Sequence, residues 1–288
     1  MTGKISAPAK VNLTLHVTGQ RDDGYHLLDS LVVFANLADQ ITATPSSSMQ
    51  LSVSGPFSQG VPTDRSNLAM RAALLLQRKR NVLVGAEISL EKHLPNAAGL
   101  GGGSADAAAV LRVLADLWQV DPLPAIAPEI VSLGADVPVC LTAPDPARMT
   151  GIGEIVAPVP ILPRCALVLV NPRISVPTPQ IFSALPNKKN APMGPIPEGM
   201  ELKDFAHWLA LQRNDLLAPA LRISPEIEAV LTRLRSMSQV AFAGMSGSGA
   251  TCFALVADMG TARQVARAVQ VSHMEWWVAP AEVLQATN

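Results

Sequence analysis

Pro95-Asn96-Ala97-Ala98-Gly99-Leu100-Gly101-Gly102-Gly103-Ser104-Ala105-Asp106 is the stretch on which the reading of this chain turns. It is almost free of side chains, and it runs straight into a segment with Ala107, Val110, Leu111, Leu114, Leu117 and Trp118 at helical spacing. A glycine loop that ends at a helix N-terminus lets several backbone N–H groups converge where the helix dipole places partial positive charge. Such a nest favours an anion, most often a phosphate. Ser104 reads as the helix N-cap, and Asp106 adds negative charge in the first turn.

Two familiar phosphate loops are excluded by spacing. No Lys followed by Ser or Thr closes the loop, as a P-loop requires, and a dinucleotide fingerprint started from Gly99 finds Ser104 where glycine is needed. A merely flexible turn is the bland alternative, and the helix that follows at once weighs against it.

Outward from the loop, short strand-like runs alternate with helical segments. Strands are expected over residues 9–17, 27–34, 49–53, 87–91, 166–170, 240–244 and 251–257. Helices are expected over 67–80, from 104 onward, and over 124–133, 202–217, 225–237 and 261–271. The mixture lacks the regular strand–helix rhythm of a doubly wound sheet and implies an α+β fold. The proline-rich stretch Pro158 to Pro163 is the candidate linker between residues 1–157 and 158–288.

The 288 residues carry 22 basic and 23 acidic side chains, a net charge of −1, and 49% hydrophobic residues. That composition supports a large core and gives no electrostatic case for nucleic acid or a membrane surface as partner. Arg78-Lys79-Arg80 reads as a solvated helix end. The uncharged run 236–257 is broken by Gly244-Met245-Ser246-Gly247-Ser248-Gly249, so strand–loop–strand is expected there instead of a membrane span. Cys140, Cys165 and Cys252 are too few and scattered for a disulfide framework or a zinc site. The N-terminus lacks the apolar segment of a signal peptide, so a cytoplasmic protein is expected. Nothing in the sequence sets an oligomeric state.

Three further segments carry polar groups that chemistry could use. Ala7-Pro8-Ala9-Lys10-Val11-Asn12-Leu13 puts Lys10 and Asn12 on one face of a strand, either as a solvent edge or as part of a site. Arg21-Asp22-Asp23-Gly24-Tyr25-His26 holds the single tyrosine of the chain in a polar turn beside a histidine, which suits stacking on a planar ring; a turn-capping role is the alternative. Leu133-Gly134-Ala135-Asp136-Val137-Pro138 sets a carboxylate among apolar residues, either bonded to its own turn or acting as a base or charge partner, with Lys10 the preferred partner. The second glycine loop, residues 243–250, is an ordinary hairpin or a second phosphate-facing loop.

Taken together and in order, these segments resemble the GHMP kinase superfamily. Within it they resemble the branch that phosphorylates a cytidine diphosphate conjugate of methylerythritol. The resemblance spans nearly the whole chain, and Asp23-Gly24-Tyr25-His26 with Gly134-Ala135-Asp136-Val137-Pro138 narrows it to that branch. Residues 151–154, 177–182 and 214–216 also carry it.

The resemblance implies a two-domain fold with the active site in the cleft between the domains, ATP and Mg²⁺ as cofactors, and a small-molecule alcohol as substrate. It implies Lys10 and Asp136 as the catalytic pair. Pro95, Asn96, Ala97, Ala98, Gly99, Leu100, Gly101, Gly102, Gly103, Ser104 and Ala105 would wrap the ATP phosphates, with Ser104 also facing Mg²⁺ and with Asn67 and Lys92 on the nucleotide side. Tyr25 and Phe182 would sandwich the cytosine, with Asn12 and His26 at its edge. Thr178 and the loop residues Gly247, Ser248 and Gly249 would meet the rest of the substrate.

Two positions depart from the family pattern: Asn96-Ala97-Ala98 stands where more glycine is expected, and Ala105 leaves Ser104 as the only hydroxyl in the loop. The rivals are a GHMP enzyme acting on homoserine, mevalonate or a sugar, and a non-catalytic nucleotide-binding relative. Small aliphatic alcohols need no aromatic clamp, and a silent relative needs no Lys–Asp pair.

Overall fold

The computed structural model describes residues 2–285. Its first half runs β1 (Gly3–Asn12), β2 (His16–Gln20), β3 (His26–Ser46), β4 (Gln50–Ser54), α1 (Leu68–Lys79), β5 (Gly85–Glu91), α2 (Gly102–Trp118), α3 (Pro128–Leu133), α4 (Val137–Cys140), β6 (Ala147–Gly151) and β7 (Ile155–Pro158). Its second half runs β8 (Ala166–Asn171), α5 (Thr178–Ser183), α6 (Leu202–Ala210), α7 (Leu217–Ile223), α8 (Glu226–Arg235), β9 (Phe242–Met245), β10 (Cys252–Val256), α9 (Met259–Ser272) and β11 (Trp277–Leu284). The fold is α+β, as expected.

The 21 residues of β3 organise the first half, pairing antiparallel with β1, β2, β5 and β6. Alternation fails after Phe34 in the sequence, which places a strand end there. The strand in fact continues, because Asp39 is buried, with its carboxylate fully bonded. The second half is built on β8, whose six residues are all buried between antiparallel neighbours β10 and β11. β11 also pairs with β3 at Val283–Ala35 and Leu284–Phe34, so the sheet continues past the proline-rich stretch that was read as a linker.

Local chemistry accounts for the helix starts. Asn67 caps α1, accepting from Ala69 N–H at 2.8 Å, and Asp258 caps α9, accepting from Thr261 N–H at 2.8 Å. The start of α2 differs from expectation. Gly101, at φ +63°, is the N-cap, and Ser104 is the third helical residue. A glycine can take this left-handed turn without a Cβ, so the helix begins earlier than a hydroxyl cap would place it. The expected helix over 124–133 forms only from Pro128, and the one over 202–217 ends at Ala210. No helix among the described residues is long and apolar enough to cross a membrane.

Candidate active site

A cleft of about 1280 Å³ gathers residues from both halves of the chain. Lys10 and Asn12 come from β1, Tyr25 and His26 from the start of β3, and Asp136 from the cap of α4. Phe182 and Thr178 come from α5, and Gly247 and Ser248 from the β9–β10 loop. Of the first glycine loop, Pro95 to Gly99 and Gly101 to Ser104 line the cleft. Leu100 is buried at 1% exposure and Ala105 at 2%, and both pack in the core. Gly249 lies outside the lining, with Met245 and Ile227 against it.

Lys10 and Asp136 meet. The Lys10 ammonium donates to Asp136 Oδ2 at 2.8 Å and to Asn12 Oδ1 at 2.8 Å. Asp136 makes no cap hydrogen bond to its own helix, which excludes the turn-bonded alternative. Its side chain is 32% exposed while that of Lys10 is 5% exposed, so the carboxylate opens on the cleft and the ammonium sits behind it. The stem of Lys10 lies against the glycine loop: a Cβ on Gly101 would stand 2.9 Å from Lys10 Cε. Its backbone N–H donates to Leu100 C=O at 2.9 Å.

The start of α2 leaves backbone N–H groups without intrahelical partners, as a nest requires. The first intrahelical bond of α2 runs from Ala105 N–H to Gly101 C=O at 2.8 Å, leaving the N–H groups of Gly102, Gly103 and Ser104 ahead of it.

The second glycine loop braces the first one. Ser246 is fully buried; its hydroxyl accepts from Asn12 N–H at 3.1 Å and donates to Gly99 C=O at 2.8 Å. Thr251 N–H donates to Ala98 C=O at 3.2 Å. The Asn214 amide donates to the carbonyls of Met245 and Gly247 at 2.8 and 2.9 Å, holding the bracing loop itself. Composition gave no hint of Ser246, since a serine among glycines reads as a turn residue.

Three of the expected site residues line the cleft but have internal partners as well. Asn12 does not face a ring edge. It is 1% exposed, with Oδ1 engaged by Lys10 and Nδ2 donating to Ser30 Oγ at 2.7 Å, so it orients the lysine. Asn67 borders the cleft, but its side chain is committed to the α1 cap and to Pro62 C=O at 2.7 Å. Lys92 borders the cleft too, yet its ammonium is bonded to Asp39 and, at 2.7 Å, to Asp106. Asp106 is therefore no exposed first-turn charge. Burial, aided by Asp39 and opposed by Lys92, pushes its carboxyl up to about 7. The charges of Asp106 and Asp39 outweigh burial and hold the Lys92 ammonium above its ordinary pKa.

The aromatic residues singled out in the sequence line one wall of the cleft. The rings of His26 and Phe182 lie 4.8 Å apart at 32°, and Tyr25 is 56% exposed on the same wall. Burial, and then the charge of Lys188, holds the His26 imidazole below its ordinary pKa, which favours the neutral ring. Thr178 Oγ1 and Ser248 Oγ are 2.8 Å apart, joining α5 to the second loop.

Residues 67–143 match the GHMP kinases N terminal domain and residues 199–275 the GHMP kinases C terminal. A 4-diphosphocytidyl-2-C-methyl-D-erythritol kinase from Ruegeria pomeroyi is 54% identical over 281 residues, covering 96% of this chain and 98% of that one. The chain belongs to the 4-diphosphocytidyl-2-C-methyl-D-erythritol kinase family of GHMP kinases. A kinase of the same name from Cereibacter sphaeroides is 50% identical to this GHMP kinase, covering 96% of it and 98% of the relative. The crystal structure of a 4-(cytidine 5'-diphospho)-2C-methyl-D-erythritol kinase matches it with a TM-score of 0.77 at 34% identity, covering 98% of this chain and 100% of that one.

A magnesium ion, which the family resemblance implies, would find no complete protein cage in this GHMP kinase. No group of three or more His, Cys, Asp or Glu among the described residues has metal-holding geometry. Mg²⁺ at nucleotide sites is held by one or two protein oxygens together with phosphates and waters. The Ser104 hydroxyl, on the cleft wall, fits that sparse donor set.

Proposed function

We propose that this chain transfers the γ-phosphoryl group of ATP to the 2-hydroxyl of 4-diphosphocytidyl-2-C-methyl-D-erythritol, giving the 2-phosphate and ADP in non-mevalonate isoprenoid precursor synthesis. The observation that carries this reading is the 2.8 Å Lys10–Asp136 pair set against the glycine loop, in a cleft that also holds Tyr25, His26 and Phe182.

Phosphoryl transfer passes through a loose transition state, so catalysis is chiefly positioning and charge stabilisation. The N–H groups at the start of α2 bind the ATP phosphates. Asp136 orients the substrate hydroxyl and takes its proton, while Lys10, oriented by Asn12, offsets the charge developing on the attacking oxygen. When bound, Mg²⁺ would supply neutralising charge at the phosphates, and Ser104 would hold it. Tyr25 and Phe182 clamp the cytosine, and neutral His26 presents a donor and an acceptor at its edge. Thr178, Gly247 and Ser248 meet the diphosphate side of the substrate. Residues 1–157 form the nucleotide and catalytic domain and 158–288 the substrate-side domain, and the enzyme works in the cytoplasm on a small molecule.

A coupled ADP-release assay with the cytidyl methylerythritol substrate beside homoserine and mevalonate tests the reading. Activity confined to the first is the expected result; equal or greater activity on either of the others overturns it. Inhibition by CDP should exceed that by UDP.

A further inference from the structure

A buried charged cluster lies beside the first glycine loop. The side chains of Asp39, Lys92 and Asp106 are 0%, 4% and 4% exposed. Buried charges of this kind are costly, and replacing such a cluster by apolar residues is often neutral or stabilising, so its presence calls for a local task. The bonding pattern supplies one.

Asp39 Oδ1 accepts the backbone N–H groups of His93 at 2.6 Å and Leu94 at 2.8 Å, the last residues before the loop. Asp39 Oδ2 engages the Lys92 ammonium, which reaches Asp106 Oδ2 at 2.7 Å in the helix that leaves the loop. The two ends of the loop meet over this cluster. A Cβ on Gly102 would stand 3.5 Å from Lys92 Nζ, 3.8 Å from Asp39 Oδ2 and 4.0 Å from Leu94 Cβ. No other cation contacts either carboxylate among the described residues.

We propose that Asp39 is a positioning residue for the nucleotide, pinning the entry of the phosphate loop directly and its exit through Lys92 and Asp106. The inference rests on the reading that ATP phosphates occupy this loop. Neither carboxylate touches the nucleotide; the staple fixes where the N–H groups of Gly102 to Ser104 point. A backbone nest binds an anion only while its amides converge, so loosening either end weakens nucleotide binding and leaves the cytidyl site as it is.

The test uses the full chain and calorimetric titration with a non-hydrolysable ATP analogue and, separately, with CDP. Asp39→Asn keeps an oxygen for His93 and Leu94 but turns an amide toward the Lys92 ammonium, so Lys92 loses its anchor and the exit is held by the Lys92–Asp106 contact alone. The expected result is analogue affinity at least tenfold weaker, KM for ATP raised by a similar factor, and CDP affinity within twofold of wild type. Asp106→Leu, which removes the acceptor at the exit, should do the same and carries the test if Asp39→Asn does not fold. Asp106→Asn, which keeps an acceptor for Lys92, should stay within threefold of wild type. Wild-type analogue affinity in both releasing variants, or equal losses for analogue and CDP, overturns the proposal. Absence of analogue binding to the wild type itself overturns the reading of the loop beneath it.

Discussion

The Lys10 ammonium stands 2.8 Å from Asp136 Oδ2, although 126 residues separate them in the chain. Lys10 ends up almost wholly buried and Asp136 one-third exposed, so the pair faces the cleft with its carboxylate first. That order suits the proposed roles, proton handling by Asp136 and charge compensation by Lys10.

Asp136→Asn keeps the shape of the site and removes the base. Positioned proton transfer contributes about 10²–10⁴-fold to rate. Turnover should therefore fall by at least about a hundredfold, while a non-hydrolysable ATP analogue still binds; steady-state kinetics and calorimetry check the two halves separately. Near-normal turnover would remove Asp136 from the mechanism.

Asn12→Ala separates a lysine-orienting role from ring recognition. The substitution removes the acceptor of Lys10 Nζ and the donor to Ser30 Oγ. An unpaired buried polar partner costs about 1–3 kcal/mol. The expected outcome is a drop in kcat and in urea stability with CDP affinity nearly unchanged. A large loss of CDP binding would restore Asn12 to the edge of the ring.

Ser246→Ala tests the brace between the glycine loops. It leaves Asn12 N–H and Gly99 C=O without their hydroxyl partner. Stability should fall by about 1–3 kcal/mol in urea unfolding. Gly99→Ala should be worse. Gly99 has φ +74°, and a Cβ there would clash with Ser246 O and stand 2.8 Å from Gly249 O, so nucleotide binding should be lost along with stability.

His16 gives the protein a sign-definite response to acid. Its Nε2 accepts from Arg213 N–H at 3.1 Å and Nδ1 faces Ala191 C=O at 3.3 Å, a pattern that only the neutral Nδ1–H ring satisfies. Burial, then the Arg213 charge, holds its pKa below 6.5. The unfolded chain therefore binds the proton first. Stability from this residue is fully present above pH 6.5 and is lost as pH falls through the depressed native pKa. The slope is at most about 1.4 kcal/mol per pH unit. His16→Gln should flatten the urea midpoint between pH 6.5 and 5 relative to wild type; an unchanged slope would place the acid response elsewhere.

Much of the site was legible in the sequence because its parts are local. A glycine run before an apolar helix marks a helix start with free backbone N–H groups, and α2 does begin there. A lone tyrosine in a polar turn declares a surface role, and Tyr25 is indeed exposed on the cleft wall. Helix α1 and its cap, and the buried strand β8, likewise follow from short-range patterns.

The misreadings share a cause. Lys92 was expected on the nucleotide side and Asp106 as a first-turn charge, and Asp39 was not singled out at all, because the sequence shows each only beside its chain neighbours. Their partners lie 53 and 14 residues from Lys92. Ser246 carries its meaning 147 and 234 residues away, at Gly99 and Asn12.

Backbone conformation and amphipathic spacing are set within a few residues, and so the chemistry of the loop, the helices and the aromatic turn was written in the sequence. Which polar groups are exposed for reaction and which are consumed as internal fastenings depends on pairings across the sheet. Only the tertiary structure decided that, because a charge becomes buried, and must find its counter-charge, only once distant strands have closed around it.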